Sequence, residues 1–105
     1  MLHVCQTEFV RASAEHVWRT ILTPAELARW TDSYLIEAPN RELRAGDHLV
    51  LGAGPGHRLR VTFDVRTIVP AEECVLDVRL PLGVSNHEVI RVTPVGPNRC
   101  RVSFS

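Results

Sequence analysis

The chain has 105 residues, a length that suits one domain and buries only about 60–70% of its unfolded surface. Its 12 basic and 12 acidic residues cancel to zero net charge. A surface that binds nucleic-acid phosphates usually carries a basic excess, so the composition predicts no nucleic-acid partner. Every basic residue is arginine, which excludes Schiff-base chemistry on a lysine of this chain. No apolar segment approaches the ~20 residues of a membrane span, and the N-terminus lacks a signal-peptide pattern. We therefore expect one cytoplasmic domain over residues 1–105.

The three cysteines, Cys5, Cys74 and Cys100, are an odd number without a CxxC pair, which favours neither a disulfide framework nor a zinc site. His3 and Cys5 lie two apart on a predicted strand and are able to reach one metal ion. Two ligands are too few for a protein metal site. The sequence predicts no metal and no cofactor.

The first elements along the chain are a strand over residues 2–10 and two short helices. Ser13 suits the N-cap of the first helix, whose apolar stripe has helical spacing and consists of Val17, Trp18, Ile21 and Leu22. Thr23 predicts the start of the second helix, because Pro24 follows at the first helical position and Glu26 occupies the capping-box position. The buried side of this helix is formed by Leu27 and Trp30.

About six strands joined by short turns follow the helices. Residues 58–68 show the clearest alternation of apolar and polar side chains, which indicates a strand with one dry and one wet face. The other segments cover residues 34–38, 47–51, 74–80 and 87–93 and the stretch from residue 100. Short turns force antiparallel neighbours, so the sequence predicts a meander in an α+β fold with the helices on one side.

The segment over residues 9–30 resembles the opening of the START and birch-pollen-allergen (SRPBCC) superfamily, in particular its polyketide cyclase/dehydrase-like branch. The matching positions are Phe9, Ala12, Val17, Trp18, Leu22, Pro24, Glu26, Leu27 and Trp30. Residues 43–52 are similar to the superfamily's turn into its third strand. The resemblance implies a helix-grip fold, in which a curved antiparallel sheet wraps a long C-terminal helix around an apolar cavity.

The sequence departs from this pattern because it ends at Ser105, within or just after the last predicted strand. We therefore expect the long C-terminal helix to be absent from the chain. About ten apolar side chains line the dry face, and each contributes ~1.5–3 kcal/mol when buried. That face needs a cover. A homodimer is favoured, and a covering segment cut from the chain is an equally open alternative. Another protein and a lipid-like ligand are further alternatives.

The dry face supplies the predicted ligand-binding residues: Trp30, Leu49, Leu59, Val61, Phe63, Val65, Leu76, Val78, Ile90 and Phe104. Two polar residues are the candidates for catalysis. Glu88 shares the apparent face of Ile90, where burial raises the pKa of a carboxyl group toward a range useful for acid/base chemistry. His48 is the second candidate, as a residue that faces the cavity. The loops at residues 52–56 and 81–86 and the terminal Ser105 are expected at one rim, where ligands enter in the superfamily.

Three functions are compatible with these patterns. The leading hypothesis is a binding module for a small hydrophobic or aromatic molecule, held in the concave face of the sheet. The second is an enzyme that resembles polyketide cyclases or dehydratases and uses Glu88 and His48 as acid and base. The third is a protein-interaction domain like those of the superfamily's chaperone-activating branch.

Overall fold

A computed structural model of the chain describes residues 6–104. The predictions for His3, Cys5 and Ser105 lie outside the described residues. The elements in chain order are β1 (Gln6–Val10), α1 (Ala14–Leu22), α2 (Pro24–Trp30), β2 (Tyr34–Glu37), β3 (His48–Ala53), β4 (Leu59–Val69), β5 (Glu73–Arg79), β6 (Ser85–Gly96) and β7 (Arg99–Phe104). The predicted order of one strand, two helices and six strands is confirmed.

The two helices meet at Thr23, which ends α1 and begins α2. Ser13 caps α1 as predicted, since its hydroxyl oxygen accepts a hydrogen bond from the backbone N–H of His16 at 3.1 Å. The capping box predicted for α2 is wrong. The Thr23 hydroxyl donates to the carbonyl of Arg19 at 2.8 Å and makes no side-chain cap for α2. Because Thr23 also ends α1, its hydroxyl adds a second hydrogen bond to the Arg19 carbonyl, which already accepts from the Thr23 backbone N–H at 3.0 Å, while Pro24 starts α2 as predicted.

All seven strands form one antiparallel, curved and unclosed sheet with the order β1-β7-β6-β5-β4-β3-β2. Strands β2 to β7 are a meander, and β1 pairs with β7 at the far edge. The predicted α+β class with a helix-grip fold is therefore confirmed. Register shifts, such as the one between Val65 and Thr67 in β4, indicate β-bulges, which bend and twist a strand.

The helices cover the inner face of the sheet, which we define as the face that carries Leu49, Val65 and Val102. Helix α1 contacts β6 and β7, and α2 contacts β2. The buried core is apolar throughout the described residues and consists of Trp18, Ile21, Leu22, Leu27, Ala28, Leu43, Leu49, Leu51, Val61, Phe63, Val65, Cys74, Leu76, Ile90, Val92, Cys100 and Val102. The expectation that this face lacks a cover within the chain is wrong for most of its area, because two short helices and one loop bury it.

The loop between β2 and β3 completes the cover with Leu43, which is 3% exposed. Its backbone N–H donates to the carbonyl of Leu22 at the end of α1, at 2.8 Å. Arg41 holds the loop through two hydrogen bonds to the Asp47 carboxylate, at 2.7 and 2.9 Å. The Arg41 guanidinium holds the pKa of Asp47 below its usual value. Such bidentate pairs fix geometry as well as charge.

From the packing of the core we expect that truncating a buried leucine and truncating an exposed leucine change the free energy of unfolding by very different amounts. Leu49 is fully buried and Leu82 is fully exposed. Leu49→Ala removes buried apolar volume and leaves a cavity, so we expect it to lower the free energy of unfolding by about 2–5 kcal/mol. Leu82→Ala is the control and changes it by less than about 0.5 kcal/mol. Urea denaturation followed by circular dichroism measures both, and equal effects would contradict the packing described here.

Candidate functional site

The predicted ligand-binding residues divide into three groups by exposure. Six lie in the core at no more than 8% exposure: Leu49, Val61, Phe63, Val65, Leu76 and Ile90. Val78 and Phe104 are half-buried against this core. Trp30 and Leu59 are 41% and 50% exposed. Only the last two groups present surface to a ligand without a rearrangement of the core, and the ligand-binding role of all ten stays a prediction.

The two catalytic candidates lie on opposite faces of the sheet. Glu88 is opposite Leu76 in the β5–β6 register and is half-buried on the inner face. His48 is opposite Asp64 in the β3–β4 register, and its side chain lies on the outer face. The expectation that His48 faces the cavity is therefore corrected. In a strand, neighbouring side chains point to opposite faces, and the adjacent Leu49 occupies the inner one.

His48 belongs to a row of charged and titratable side chains that crosses the outer face. His48, Asp64, Asp77 and His87 are successive register partners on β3, β4, β5 and β6. One oxygen of Asp64 contacts His48 at 2.8 Å and the other contacts Arg79 at 3.0 Å. Asp77 repeats this arrangement with His87 at 2.9 Å and Arg66 at 3.2 Å.

Each aspartate of the outer row thus has one histidine and one arginine, so every carboxylate oxygen of the row has a side-chain partner. Exposed ion pairs of this kind contribute about 0–1 kcal/mol each. The row is part of the polar outer surface of the sheet. Among the described residues, no three His, Cys, Asp or Glu side chains are arranged to hold a metal ion.

An apolar groove lies between α1 and the β1–β7 edge of the inner face, with a volume of about 240 Å³. We call it the helix–sheet groove, and it is lined by Val10, Ala12, His16, Val17, Thr20, Ile21, Trp30 and Val102. Of these residues, only Trp30 was among the predicted ligand-binding residues. Val10 lies near the start of the chain and Val102 near its end, so the groove exists only after β1 has paired with β7.

Two polar side chains of the groove, His16 and Thr20, belong to α1. The Thr20 hydroxyl donates to the carbonyl of His16 at 3.0 Å, so its proton is not offered to a ligand. The imidazole of His16 is exposed and lies at the rim of the groove. It is the polar group best placed to contact a hydroxyl or carbonyl on an otherwise apolar ligand.

The thiols of Cys74 and Cys100 lie in the core at 1% and 0% exposure. Burial raises the pKa of the Cys74 thiol to about 11 and raises the pKa of Cys100 as well. The thiolate is the nucleophilic form of cysteine, so neither residue is prepared for catalysis. Both act as small apolar side chains, as the sequence indicates.

The loops predicted at one rim of the sheet lie at the ends of paired strands. Residues 52–56 precede β4, and a 3-10 turn at Pro55–His57 brings the His57 backbone against Gly52. A Cβ atom at Gly52 would lie 2.5 Å from the His57 carbonyl oxygen, so only glycine fits there. The β5–β6 turn at Pro81–Gly83 presents Leu82, which has a φ of 68°.

These features define the class of the protein. Two helices on the inner face of a curved, seven-stranded antiparallel sheet, with an apolar groove between helix and sheet, are typical of the START and birch-pollen-allergen (SRPBCC) superfamily. The resemblance found in residues 9–30 is therefore confirmed. Within this class, the sequence profile of the Activator of Hsp90 ATPase homolog 1-like protein family matches residues 11–104. The chain belongs to that family.

Several solved structures share the fold. DynU16, a protein of the dynemicin biosynthetic locus, is 17% identical with a TM-score of 0.71, over 97% of this chain and 36% of DynU16. PFC0360w, an HSP90 activator from Plasmodium falciparum, is 13% identical with a TM-score of 0.72, over 96% of this chain and 69% of that protein. The Aha1 dimer from Colwellia psychrerythraea is 15% identical with a TM-score of 0.71, over 99% of this chain and 74% of that one.

At identities of 17% or lower, this likeness shows the fold alone. The chain spans little more than a third of the length of DynU16. No curated protein sequence is significantly similar to the chain. Among the described residues, no helix has the length and apolar character that crossing a membrane requires.

Proposed function

We propose that the protein is a binding module that holds a small apolar or aromatic molecule in the helix–sheet groove. The observation that carries the proposal is the groove itself, which is walled mainly by apolar side chains, among them Val10, Val17 and Val102. Trp30 stands at one end with 41% of its surface exposed. Pockets for small molecules combine such walls with a few polar groups that fix orientation, and His16 supplies one here.

The volume of the groove limits the ligand. At about 240 Å³ it is smaller than the ~300–1,000 Å³ typical of drug-sized ligands, which favours one aromatic ring or two fused rings. Burial of about 200 Å² of apolar ligand surface contributes about 5 kcal/mol. Before any cost of association is subtracted, about 5 kcal/mol corresponds to a dissociation constant of about 0.2 mM, so we expect an unadorned aromatic probe to bind with a dissociation constant of about 1 mM or weaker.

A tryptophan placed inside the groove tests this proposal. Thr20→Trp fills the space from α1, and we expect it to weaken the binding of 2-naphthol at least about tenfold, because the ligand and the new side chain compete for one volume. Arg19→Trp is the matched control, since Arg19 is adjacent on the same helix and does not line the groove. Isothermal titration calorimetry measures both affinities.

Binding of 2-naphthol with equal affinity by both variants would show that the ligand sits elsewhere.

The predicted enzyme of the polyketide cyclase/dehydratase type has one candidate catalytic residue left on the inner face. Glu88 shares that face with Leu76 and Ile90, whereas His48 lies behind the sheet and has no access to a ligand held there. The catalytic role of Glu88 stays a prediction.

A second candidate function is docking on a chaperone, in the manner of the HSP90 activator that shares this fold. Membership of the activator-like family supports it, and so does the exposed β5–β6 turn. Leu82 is fully exposed in that turn at a φ of 68°. A leucine in this conformation costs folding energy and gains no burial within the chain, which favours a contact outside it.

The chaperone proposal predicts that Leu82→Asp weakens binding to an Hsp90-class chaperone roughly tenfold, as truncation of an anchor residue does. Val95→Asp is the matched control, because Val95 is also exposed, at 56%, and lies near the end of β6, beside the β6–β7 turn. Surface plasmon resonance with the purified chaperone compares the two variants. A chaperone that binds neither the parent chain nor the variants would exclude this function.

We propose that a second copy of the chain covers the exposed end of the inner face, so that the protein forms a homodimer. This end carries Leu59, Val78 and Leu80, which are half-buried or exposed. A solved relative of the fold is described as a dimer. A second copy that packs against this end would bury these side chains at a gain of about 25 cal/mol per Å².

Sedimentation equilibrium at micromolar concentration tests the homodimer. Leu59→Asp places a charge within the proposed contact, and we expect it to shift the equilibrium to monomer because an unpaired charge is costly to bury. Phe9→Asp is the control, since Phe9 is 59% exposed and pairs with Arg101 on the outer face. A parent chain that sediments as a monomer without bound ligand would remove the dimer from consideration.

A further inference from the structure

A second cleft shares Trp30 with the helix–sheet groove. It has a volume of about 220 Å³ and is lined by Glu8, Trp30, Thr31 and Phe104. We call it the edge cleft, because it opens at the β1–β7 edge of the sheet. Apart from Trp30, none of its residues lines the groove. The two cavities therefore share one wall and differ in the rest of their chemistry.

The aromatic wall of the edge cleft consists of Trp30 and Phe104. Their ring centroids are 4.8 Å apart and the ring planes are tilted by 38°. Phe104 is half-buried, whereas Trp30 keeps 41% of its surface exposed. The indole ring is the aromatic side chain that attracts a cation most strongly through its π-face.

The charge of the edge cleft comes from Glu8. Glu8 is opposite Val102 in the β1–β7 register, and Val102 is buried on the inner face. The Glu8 side chain therefore lies on the side of the sheet where Trp30 and Phe104 meet. Among residues 6–104, no basic side chain lies within ion-pair distance of Glu8, and none lines the cleft.

The remaining polar group of the cleft is the Thr31 hydroxyl. It donates toward the carbonyls of Leu27 and Ala28, at 3.0 and 3.2 Å. Its proton is directed into the end of α2, so a ligand meets an oxygen lone pair. The edge cleft thus offers a carboxylate, a hydroxyl acceptor and two aromatic rings, and no side-chain donor besides the indole N–H of Trp30.

From this combination we propose that the edge cleft binds an organic cation, and specifically an alkylated ammonium group such as a trimethylammonium. Such a group is attracted by an indole face and by a carboxylate, and its methyl groups make it easier to desolvate than a bare ammonium. A divalent metal ion is disfavoured because one carboxylate is too few ligands for it. The chain uses the same interaction on the outer face of β1, where the guanidinium of Arg99 lies 5.2 Å from the ring centroid of Phe9.

Comparing the binding of choline with that of its neutral isostere 3,3-dimethyl-1-butanol distinguishes recognition of charge from recognition of shape. We expect choline to shift the indole N–H signal of Trp30 saturably in two-dimensional ¹H–¹⁵N NMR spectra. The indole signal of Trp18, which is buried, serves as the internal reference. We expect the neutral isostere to bind about 3–30-fold more weakly, the range of cation–π energies expressed as affinity. Equal binding of the two compounds would overturn the proposal.

Glu8→Gln tests the carboxylate and should weaken choline binding at least about threefold. Glu42→Gln is the matched control, because it also removes one exposed negative charge and Glu42 does not line the cleft. If both variants bind choline as the parent chain does, the proposal fails. A peptide that carries trimethyllysine tests whether the cation belongs to a protein or to a small molecule. If the peptide binds more tightly than choline, the partner is a protein. If choline binds more tightly than the peptide, the ligand is a small molecule.

The same variants separate this site from the function proposed for the groove. Glu8→Gln should leave 2-naphthol binding unchanged, and Thr20→Trp should leave choline binding unchanged, because Glu8 does not line the groove and Thr20 does not line the edge cleft. Loss of choline binding in Thr20→Trp would show that both probes occupy one site, and the edge cleft would then have no ligand of its own.

Discussion

One apolar face of a seven-stranded sheet has to be shielded from water, and two helices of nine and seven residues do most of this shielding. The rest of the structure depends on that contact. The two helices are too short to cover the core alone. The β2–β3 loop, which the ion pair of Arg41 and Asp47 holds in place, therefore packs Leu43 over the remaining part. For the same reason the sheet keeps an uncovered end, and a groove remains where α1 passes the β1–β7 edge.

The strict separation of the two faces explains the division of chemistry. On the outer face, His48, Asp64, Asp77 and His87 form a row in which each carboxylate is matched by a histidine and an arginine. On the inner face, the described residues bury no polar side chain, and Glu88 lies at the margin of the core. Because side chains alternate along a strand, two adjacent residues lie on opposite faces, and one can belong to a surface ion pair while the other belongs to the core.

Trp30 joins the two proposed binding cavities. It ends α2, stacks against Phe104 of the last strand, and walls both the apolar groove and the acidic edge cleft. Trp30 keeps 41% of its surface exposed, so it presents aromatic surface to both cavities. Membership of the activator-like family is consistent with either a small ligand or a protein partner.

The sequence by itself determined the elements and their order, because apolar spacing distinguishes helix from strand and short turns force antiparallel neighbours. It also determined that Leu49, Val65 and Leu76 belong to the dry face. The sequence-based prediction was wrong for the cap at Thr23, because this residue belongs to the ends of two helices. It was also wrong for the sheet face of His48, because the strand register decides which face a side chain occupies. Only the tertiary structure decided how much of the dry face the helices cover, and which residues line the groove and the edge cleft. The reason is that Glu8, Val10, Trp30 and Val102 meet only through the pairing of β1 with β7, which brings the two ends of the chain together.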